Sequence, residues 1–306
     1  MQPTISIILP TYNGSKFIRT SIESCLQQTF TDFELIIVND CSTDNTLSII
    51  EEYAAKDKRI KIIYNEHNKK LPLSLNAGFE LAKGKYFTWT SDDNYYAPQA
   101  LQTMLQQIED NPISDLVYAN YTTINDEGKI TGTRIFNNIY LSFFNWLGCG
   151  ACFLYKAEIH WALNGYNPAA FLIEDYDFFV RAYLKYQFHY LPQTDLYFYR
   201  EHNASLTSTQ RSAIKDVSKI FLERQLVGLE NKLSKKEVAL LYRKFAVYFA
   251  VQKNDTFKYG LYLQKLSNIS KKEALITVCY VPVFKLFQTI TVSLKGCVAF
   301  IEVIFK

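Results

Sequence analysis

The sequence has little glycine and proline, 11 and 8 among 306 residues, and no block that recurs at a fixed spacing. These shortages exclude collagen-like, Gly/Ser-rich and short-period repeat architectures. Because 48% of the residues are hydrophobic, wholesale disorder is excluded as well. The length suffices for one large domain or two modest domains with a buried core.

Several motifs of well-known enzyme classes are missing. There is no GxxxxGK[ST] loop, no GxGxxG after the first predicted strand and no GxSxG. These absences exclude P-loop, dinucleotide-fold and nucleophile-elbow interpretations. Cys149 and Cys152 form a CxxC without a second one, which argues against zinc. No basic leader or cleavage site precedes the first strand, so we expect free thiols and a cytoplasmic protein.

The chain also lacks an uninterrupted apolar segment long enough to span a bilayer. The longest such run, residues 274–284, is shorter than the ~20 residues that a transmembrane helix needs. Residues 207–306 hold 17 Lys and Arg against 7 Asp and Glu, whereas residues 1–206 hold 16 against 23. We therefore expect a basic, amphipathic helix pair near 274–306 to lie on the inner face of the cell membrane. The alternatives are a helical hairpin packed on the body, or an oligomer interface.

The acidic balance of residues 1–206 fits poorly with binding of a nucleic acid duplex, which requires a basic face. Apolar spacing over these residues alternates between strand and helix periods. Strands are predicted at 5–9, 34–38, 60–64 and 86–89, with helices at 15–28, 46–55 and 73–82. This order predicts an α/β domain with a mostly parallel sheet and helices on both faces.

Farther along, strands are predicted near 116–121 and 197–200 and a helix near 176–186, with helices only beyond 207. We therefore predict a catalytic domain over 1–206 and a helical region over 207–306. Ligands of parallel sheets bind beyond the carboxyl ends of the strands. That rule directs attention to residues 11–13, 39–44 and 91–94.

Carboxylates occupy two of these strand ends. Asp40 can accept the imide N–H of a uracil-type base, while Tyr12 offers a stacking face. A simpler interpretation is that Ser42 and Asp44 cap the next helix, but it does not explain Asp40. Asp92 and Asp93 form a hard-oxygen pair suited to Mg²⁺ or Mn²⁺ on a diphosphate, although a solvated acidic turn is the default interpretation.

Two more clusters follow in the second half of the domain. Glu174 and Asp175 stand at a predicted helix start, where they either complement the helix dipole or supply a general base. His202 can add an imidazole to a metal or a phosphate.

In order along the chain, these segments resemble family 2 glycosyltransferases, the inverting GT-A enzymes of bacterial surface-polysaccharide assembly. The resemblance covers about residues 3–206. It is carried by SIILPTYNG at 6–14, VNDCSTDNT at 38–46, SDD at 91–93, EDYD at 174–177 and YREH at 199–202.

The resemblance implies a GT-A fold and a role for each matching residue. The implied donor-binding residues are Pro10, Thr11, Tyr12, Asn13, Asp40, Ser42, Asn76 and Asp92. Asp93, Asp92 and His202 would hold Mg²⁺ or Mn²⁺ on the diphosphate. Asp175 would take the proton from the acceptor hydroxyl, with Glu174 supporting the acceptor.

The implied reaction moves a sugar from a nucleotide-diphosphate sugar, expected to be a UDP-sugar, to a saccharide or lipid-linked saccharide. Three positions depart from the family pattern: Thr90 and Asn39 replace common aspartates, and Leu75 replaces a common arginine. A nucleotidylyltransferase or a non-catalytic sugar-nucleotide scaffold are the alternatives. A nucleotidylyltransferase would have a Gly/Arg-rich loop after its first strand, and this sequence has none there. A non-catalytic scaffold would be expected to have lost Asp92, Asp93 and Asp175, which are present.

Overall fold

The computed structural model describes residues 2–144, 146, 148, 150–202, 205 and 209–293. The chain divides into two compact units, Met1–Gln225 and Leu226–Lys306. The predicted boundary at 206 marks the point where the sequence becomes helical, but the first unit continues to Gln225. The reason is packing, because Phe221 lies in one buried cluster with Ala170 and Ile173.

The first unit contains two sheets. In chain order the described strands are β1 Ile5–Thr11, β2 Phe33–Asn39, β3 Ile60–Tyr64, β4 Tyr86–Trp89, β5 Tyr95–Tyr96, β6 Leu116–Ala119, β7 Tyr121–Ile124, β8 Ile130–Arg134, β9 Phe153–Lys156, β10 Phe188–Leu191 and β11 Tyr197–Arg200. The larger sheet has the order β10-β6-β9-β4-β1-β2-β3, and the smaller one β5-β11-β7-β8.

Helices separate most of these strands. In the first unit they are α1 Ile18–Leu26, α2 Thr46–Ala54, α3 Lys70–Leu81, α4 Ala100–Asp110, α5 Ala157–Ala162, α6 Glu174–Tyr183 and α7 Arg211–Arg224, with a 3-10 turn at Pro168–Ala170. In the second unit they are α8 Leu226–Lys232, α9 Lys235–Tyr248, α10 Thr256–Ile269 and α11 Lys271–Ser293, with a π-helical turn at Phe249–Lys253.

The centre of the larger sheet is fully enclosed. Every residue of β1 and β2 is buried. Because successive side chains of a strand point to opposite faces, both faces of the sheet are covered there. β1 pairs in parallel with β2 and β4, and β2 with β3, so the predicted α/β fold with a mostly parallel sheet is confirmed. β9 enters antiparallel between β4 and β6.

One predicted strand, 116–121, is in fact two strands in different sheets. The chain leaves the larger sheet after Ala119 and enters the smaller one at Tyr121. Between them, the buried Asn120 donates through Nδ2 to Tyr190 Oη and to the Pro192 carbonyl, and accepts from Phe136 N. Its side chain therefore stabilises the crossing, which an apolar pattern does not reveal.

The second unit has an apolar interior built by its own helices. Phe245 of α9 and Phe249 of the π turn pack on the ring of Tyr262 in α10, at 5.0 and 5.7 Å. Helix α11 continues through Pro282 to Ser293. Within the described residues, no helix is long and apolar enough to cross a membrane. Residues 294–306 of the predicted tail lie outside the described residues, so the second helix of the predicted pair stays a prediction.

Candidate active site

The loops that follow β1 and β2 are joined by hydrogen bonds. Asn13 N donates to Ser42 Oγ at 3.0 Å, and Asn13 Oδ1 accepts from Thr43 N at 2.8 Å. Asn13 and Cys41 adopt left-handed conformations, with φ of 56° and 63°. The two loops thus form one continuous surface. Tyr12, with half of its surface exposed, projects from it.

Asp40 lies at the end of β2 and is almost fully buried. Its carboxylate accepts hydrogen bonds from Lys69 N at 2.8 Å, Lys70 N at 2.9 Å and Asn65 Nδ2 at 2.8 Å. Lys70 begins α3, so Asp40 satisfies amide groups at the amino end of a helix and complements its dipole. This long-range capping role was missed by sequence analysis, because 29 or more residues separate the partners.

Asp92 is packed tightly under the loop that follows β1. The Thr11 hydroxyl donates to Asp92 Oδ2. Burial, helped by the neighbouring charge of Asp93, raises the pKa of Asp92 to about 7. A Cβ added at Gly14 would overlap Asp92 Oδ2 and lie 2.6 Å from Thr11 Oγ1. Gly14 is therefore required here by close approach.

Asp93 and His202 meet across the two sheets. His202 Nε2 lies 2.9 Å from Asp93 Oδ2, and this hydrogen bond raises the pKa of the imidazole. Both side chains are mostly buried, at 21% and 16% exposure. The other carboxylate oxygen, Asp93 Oδ1, is buried and has no hydrogen-bond partner among the described residues. A buried acceptor without a protein partner is available to a water, an ion or a ligand.

These groups fit a divalent cation. Mg²⁺ in phosphate-transfer sites is typically held by one or two carboxylates, with substrate phosphates and waters completing the shell. Asp93 and Asp92 offer such oxygens, and His202 an imidazole nitrogen. Within the described part of the chain, no group of three or more His, Cys, Asp and Glu side chains has the arrangement of a metal site. Whether Asp93, Asp92 and His202 hold a metal therefore stays a prediction.

Glu174 and Asp175 occupy the first turn of α6. Burial raises the pKa of both carboxyls, and the charge of Asp175 raises that of Glu174 further. Asp175 Oδ1 accepts from Tyr176 N at 2.6 Å, whereas Glu174 Oε2 is buried with no partner among the described residues. Leu172, two residues before the helix, has a φ of 82°, a strained conformation for a branched side chain.

An aromatic pair connects the surroundings of Asp93 with those of Asp175. The rings of Tyr121 and Tyr197 are 6.3 Å apart. Burial is the main cause of the raised pKa of each phenol. The charge of Asp175 raises the pKa of Tyr121 further, and the charge of Asp93 raises the pKa of Tyr197 further. Both carboxylates therefore lie within electrostatic reach of the same cluster, although 82 residues separate them in the sequence.

Three predicted donor-binding residues have partners or neighbours within the protein. Pro10 is buried inside β1, opposite Val38. Asn76 uses both ends of its amide on the backbone of Tyr166, donating to its carbonyl and accepting from its N–H, each at 2.8 Å. Thr11 is also almost fully buried, and its hydroxyl serves Asp92.

The departure from the family pattern at Thr90 also has a structural explanation. Thr90 is fully buried, and its hydroxyl lies 2.7 Å from the Tyr197 hydroxyl. The side chain therefore connects β4 to β11 beneath the Asp93 and His202 pair. An aspartate here would be a buried charge, which is costly unless it is paired.

The known proteins that this chain resembles are glycosyltransferases. The model of the family "Glycosyl transferase family 2" matches residues 6–163, about half of the chain. The putative glycosyltransferase EpsH of Bacillus subtilis is 37% identical over 134 residues, 44% of this chain and 38% of that protein. Chondroitin synthase of Escherichia coli is 29% identical over 181 residues, 58% of this chain and 26% of that protein. The chain thus spans less than half of the length of either relative.

A solved structure resembles a larger part of the chain. The crystal structure of S. aureus TarS 1–349 in complex with UDP-GlcNAc superimposes with a TM-score of 0.65 at 18% identity. It covers 92% of this chain and 88% of that chain. At this identity the likeness shows the fold, which is the expected GT-A arrangement with additional C-terminal helices.

Proposed function

Since the chain belongs to glycosyl transferase family 2, we propose that it transfers a sugar from a UDP-sugar to a hydroxyl of a saccharide or lipid-linked saccharide, with inversion. The product would be part of a cell-surface polysaccharide. The observation that carries this proposal is the unpartnered, buried Asp93 Oδ1 beside His202, at the carboxyl ends of the parallel strands. Nucleotide ligands of α/β sheets bind at that edge.

Asp40 and Tyr12 would hold the base of the donor. A carboxylate has about four lone-pair sites, and the protein uses three of those on Asp40. One site is left for the single imide N–H of uracil, and the exposed ring of Tyr12 can stack on the base. The similar fold of TarS, whose structure was solved with UDP-GlcNAc, supports a uridine nucleotide.

Asp93, with Asp92 and His202, would hold Mg²⁺ or Mn²⁺ on the diphosphate. When bound, such an ion neutralises the charge that develops on the departing nucleoside diphosphate. The protein's own part is to fix these side chains. Thr11 and Gly14 fix Asp92, while His202 fixes one oxygen of Asp93 and leaves the other open.

Asp175 would be the general base. It removes the proton from the acceptor hydroxyl as that oxygen attacks the anomeric carbon, and the nucleoside diphosphate leaves from the opposite face. Burial raises the pKa of Asp175, which makes its carboxylate a stronger base than an exposed aspartate. Glu174, buried beside it, would support the acceptor.

Calorimetric titration with UDP and GDP, each with and without Mn²⁺, tests the donor assignment. We expect UDP to bind in the presence of Mn²⁺ and not in its absence. GDP should bind under neither condition. Asp40→Asn should weaken UDP binding by about tenfold or more, because the hydrogen bond from the base to a charged acceptor is lost. Asp32→Asn is the control, since Asp32 also accepts from a backbone amide, that of Thr4, but at the opposite end of β1. A folded protein that binds neither nucleotide would contradict the proposal.

The second unit would place the enzyme at the inner face of the cell membrane. Residues 226–306 contain 13 Lys and Arg against 5 Asp and Glu. On α11, Ala274, Thr277 and Val281 are buried, whereas four large apolar side chains lie exposed. Those four are Leu275, Val278, Tyr280 and Val283. An apolar face on a basic unit is suited to anionic lipid.

Replacing Leu275, Val278 and Tyr280 together with Gln is expected to lower binding to vesicles that contain phosphatidylglycerol by at least about tenfold. Each apolar side chain contributes about 1.5–3 kcal/mol when it is fully buried. Co-sedimentation measures the bound fraction. Ile113→Gln is the control, because Ile113 is an even more exposed apolar side chain but lies in the first unit. Wild-type protein that stays in the supernatant at low salt would refute the membrane assignment.

A further inference from the structure

Arg200, the last residue of β11, connects three separate segments around the Asp93 and His202 pair. Its side chain is buried, and Nε donates to the Asp93 carbonyl at 3.0 Å. Its Nη1 donates to the carbonyls of Asn125 and Asp126, at 2.7 and 2.8 Å. Three of its five N–H groups are therefore directed at backbone oxygens of two turns.

The backbone of Arg200 adds a fourth bond to the same region. Arg200 N donates to the buried side chain of Asn94, at 2.7 Å from Oδ1. Asp93 and Asn94 are thus both held by one residue, one through its carbonyl and the other through its amide side chain. The turn that carries the Asp93 carboxylate is fixed from two directions, and its freedom to rotate is reduced.

Phe17 extends this contact to His202. The guanidinium carbon of Arg200 lies 4.4 Å from the centre of the Phe17 ring, within the range of a cation–π interaction. The same ring is 5.7 Å from the imidazole of His202. The guanidinium therefore touches the backbone of one member of the pair, and touches the aromatic ring that supports the other.

We propose that Arg200 is a positioning residue that holds Asp93 and His202 in their mutual geometry, acting through the Asp93 carbonyl and the Phe17 ring. The inference rests on the proposed function, which makes this pair the metal site. Groups that orient metal ligands typically change metal affinity by about 10- to 100-fold when they are altered. Lysine cannot replace the planar fork, because it lacks the geometry to serve three carbonyls and a ring at once.

The test compares Arg200→Lys with Arg59→Lys. Arg59 is a matched control: its guanidinium lies 4.4 Å from the Phe33 ring, donates to the Leu26 carbonyl and pairs with Asp57. It precedes β3, at the amino ends of the parallel strands, whereas Asp93 follows the carboxyl end of β4. The thermal midpoint of each variant reports general destabilisation. Calorimetry with UDP at increasing Mn²⁺ reports the half-saturating metal concentration.

We expect Arg200→Lys to raise the half-saturating Mn²⁺ concentration by about 10- to 100-fold. Arg59→Lys should leave it within about twofold, even where the thermal midpoints of the two variants fall equally. A value for Arg200→Lys within about twofold of the wild type overturns the inference.

A second readout does not depend on nucleotide or metal. The ¹⁵N resonance of His202 Nε2 in metal-free protein reports its hydrogen bond with Asp93, and His202→Gln assigns the signal. We expect Arg200→Lys to shift this resonance towards that of a solvent-exposed histidine, whereas Arg59→Lys leaves it in place. An unchanged resonance overturns the inference even if UDP fails to bind, while absent UDP binding by the wild type counts against the proposed function alone.

Discussion

Asp175→Asn is expected to lower kcat for sugar transfer by on the order of 10³-fold, with the affinity for UDP within about twofold of the wild type. A general base contributes about 10²- to 10⁴-fold to a rate, and the amide of asparagine cannot accept the hydroxyl proton. The donor site does not include Asp175, so UDP affinity should be retained. Transfer rates at saturating donor, together with UDP calorimetry, measure the two quantities.

Asp177→Asn provides the comparison within the same helix. Asp177 is buried two residues after Asp175, and its Oδ2 accepts from Arg181 Nε at 2.8 Å. Its substitution should lower the free energy of unfolding, because a buried ion pair is broken, and should affect kcat far less. Glu174→Gln should also have a smaller effect than Asp175→Asn. If Asp175→Asn keeps the wild-type turnover, Asp175 is not the base.

Gly14→Ala is the second substitution with a large expected effect. It should lower kcat/KM by about 10²-fold, because the added Cβ overlaps Asp92 Oδ2 and forces Asp92 and Thr11 out of place. A displacement of about 1 Å in a positioned group can cost that much. Steady-state kinetics with varied donor and metal would locate the loss in donor and metal binding.

Gly260→Ala is the matched control for this substitution. Gly260 lies in α10, where a Cβ meets no atom within 4 Å. Alanine there should stabilise the helix by up to about 1 kcal/mol, with no effect on kinetics. Gly14→Ala with wild-type kcat/KM would show that the loop after β1 tolerates the added methyl group, and that Asp92 needs no close approach.

The sequence predicted the first four strands well because they are short, buried apolar runs ended by polar residues. The strands at 60–64 and 86–89 have the predicted bounds. Helix α3 begins at Lys70, three residues before the predicted start, because Pro72 is tolerated in a first turn. The domain boundary was harder to predict, since the packing of Phe221 on Ile173 depends on residues far apart in the sequence.

The candidate site was predicted as a set of residue types, and the structure separates their roles. Asp93 and His202 are in contact, although 109 residues separate them, and their role as metal ligands stays a prediction. The sequence could not reveal that Asn76 bonds the backbone of Tyr166, because 90 residues separate the two. The supporting roles of Gly14 and Phe17 depend on distances that residue spacing does not encode.

The hydrogen bonds between the loops after β1 and β2 should affect the rate at which the proposed donor associates. Asn13 is bonded to Ser42 and Thr43, so hydrogen bonds within the protein itself hold this part of the surface together. Ordering a loop during association costs entropy and slows productive encounters. If these loops hold the donor as proposed, that entropy is lost during folding rather than at each binding event, and the donor should associate quickly.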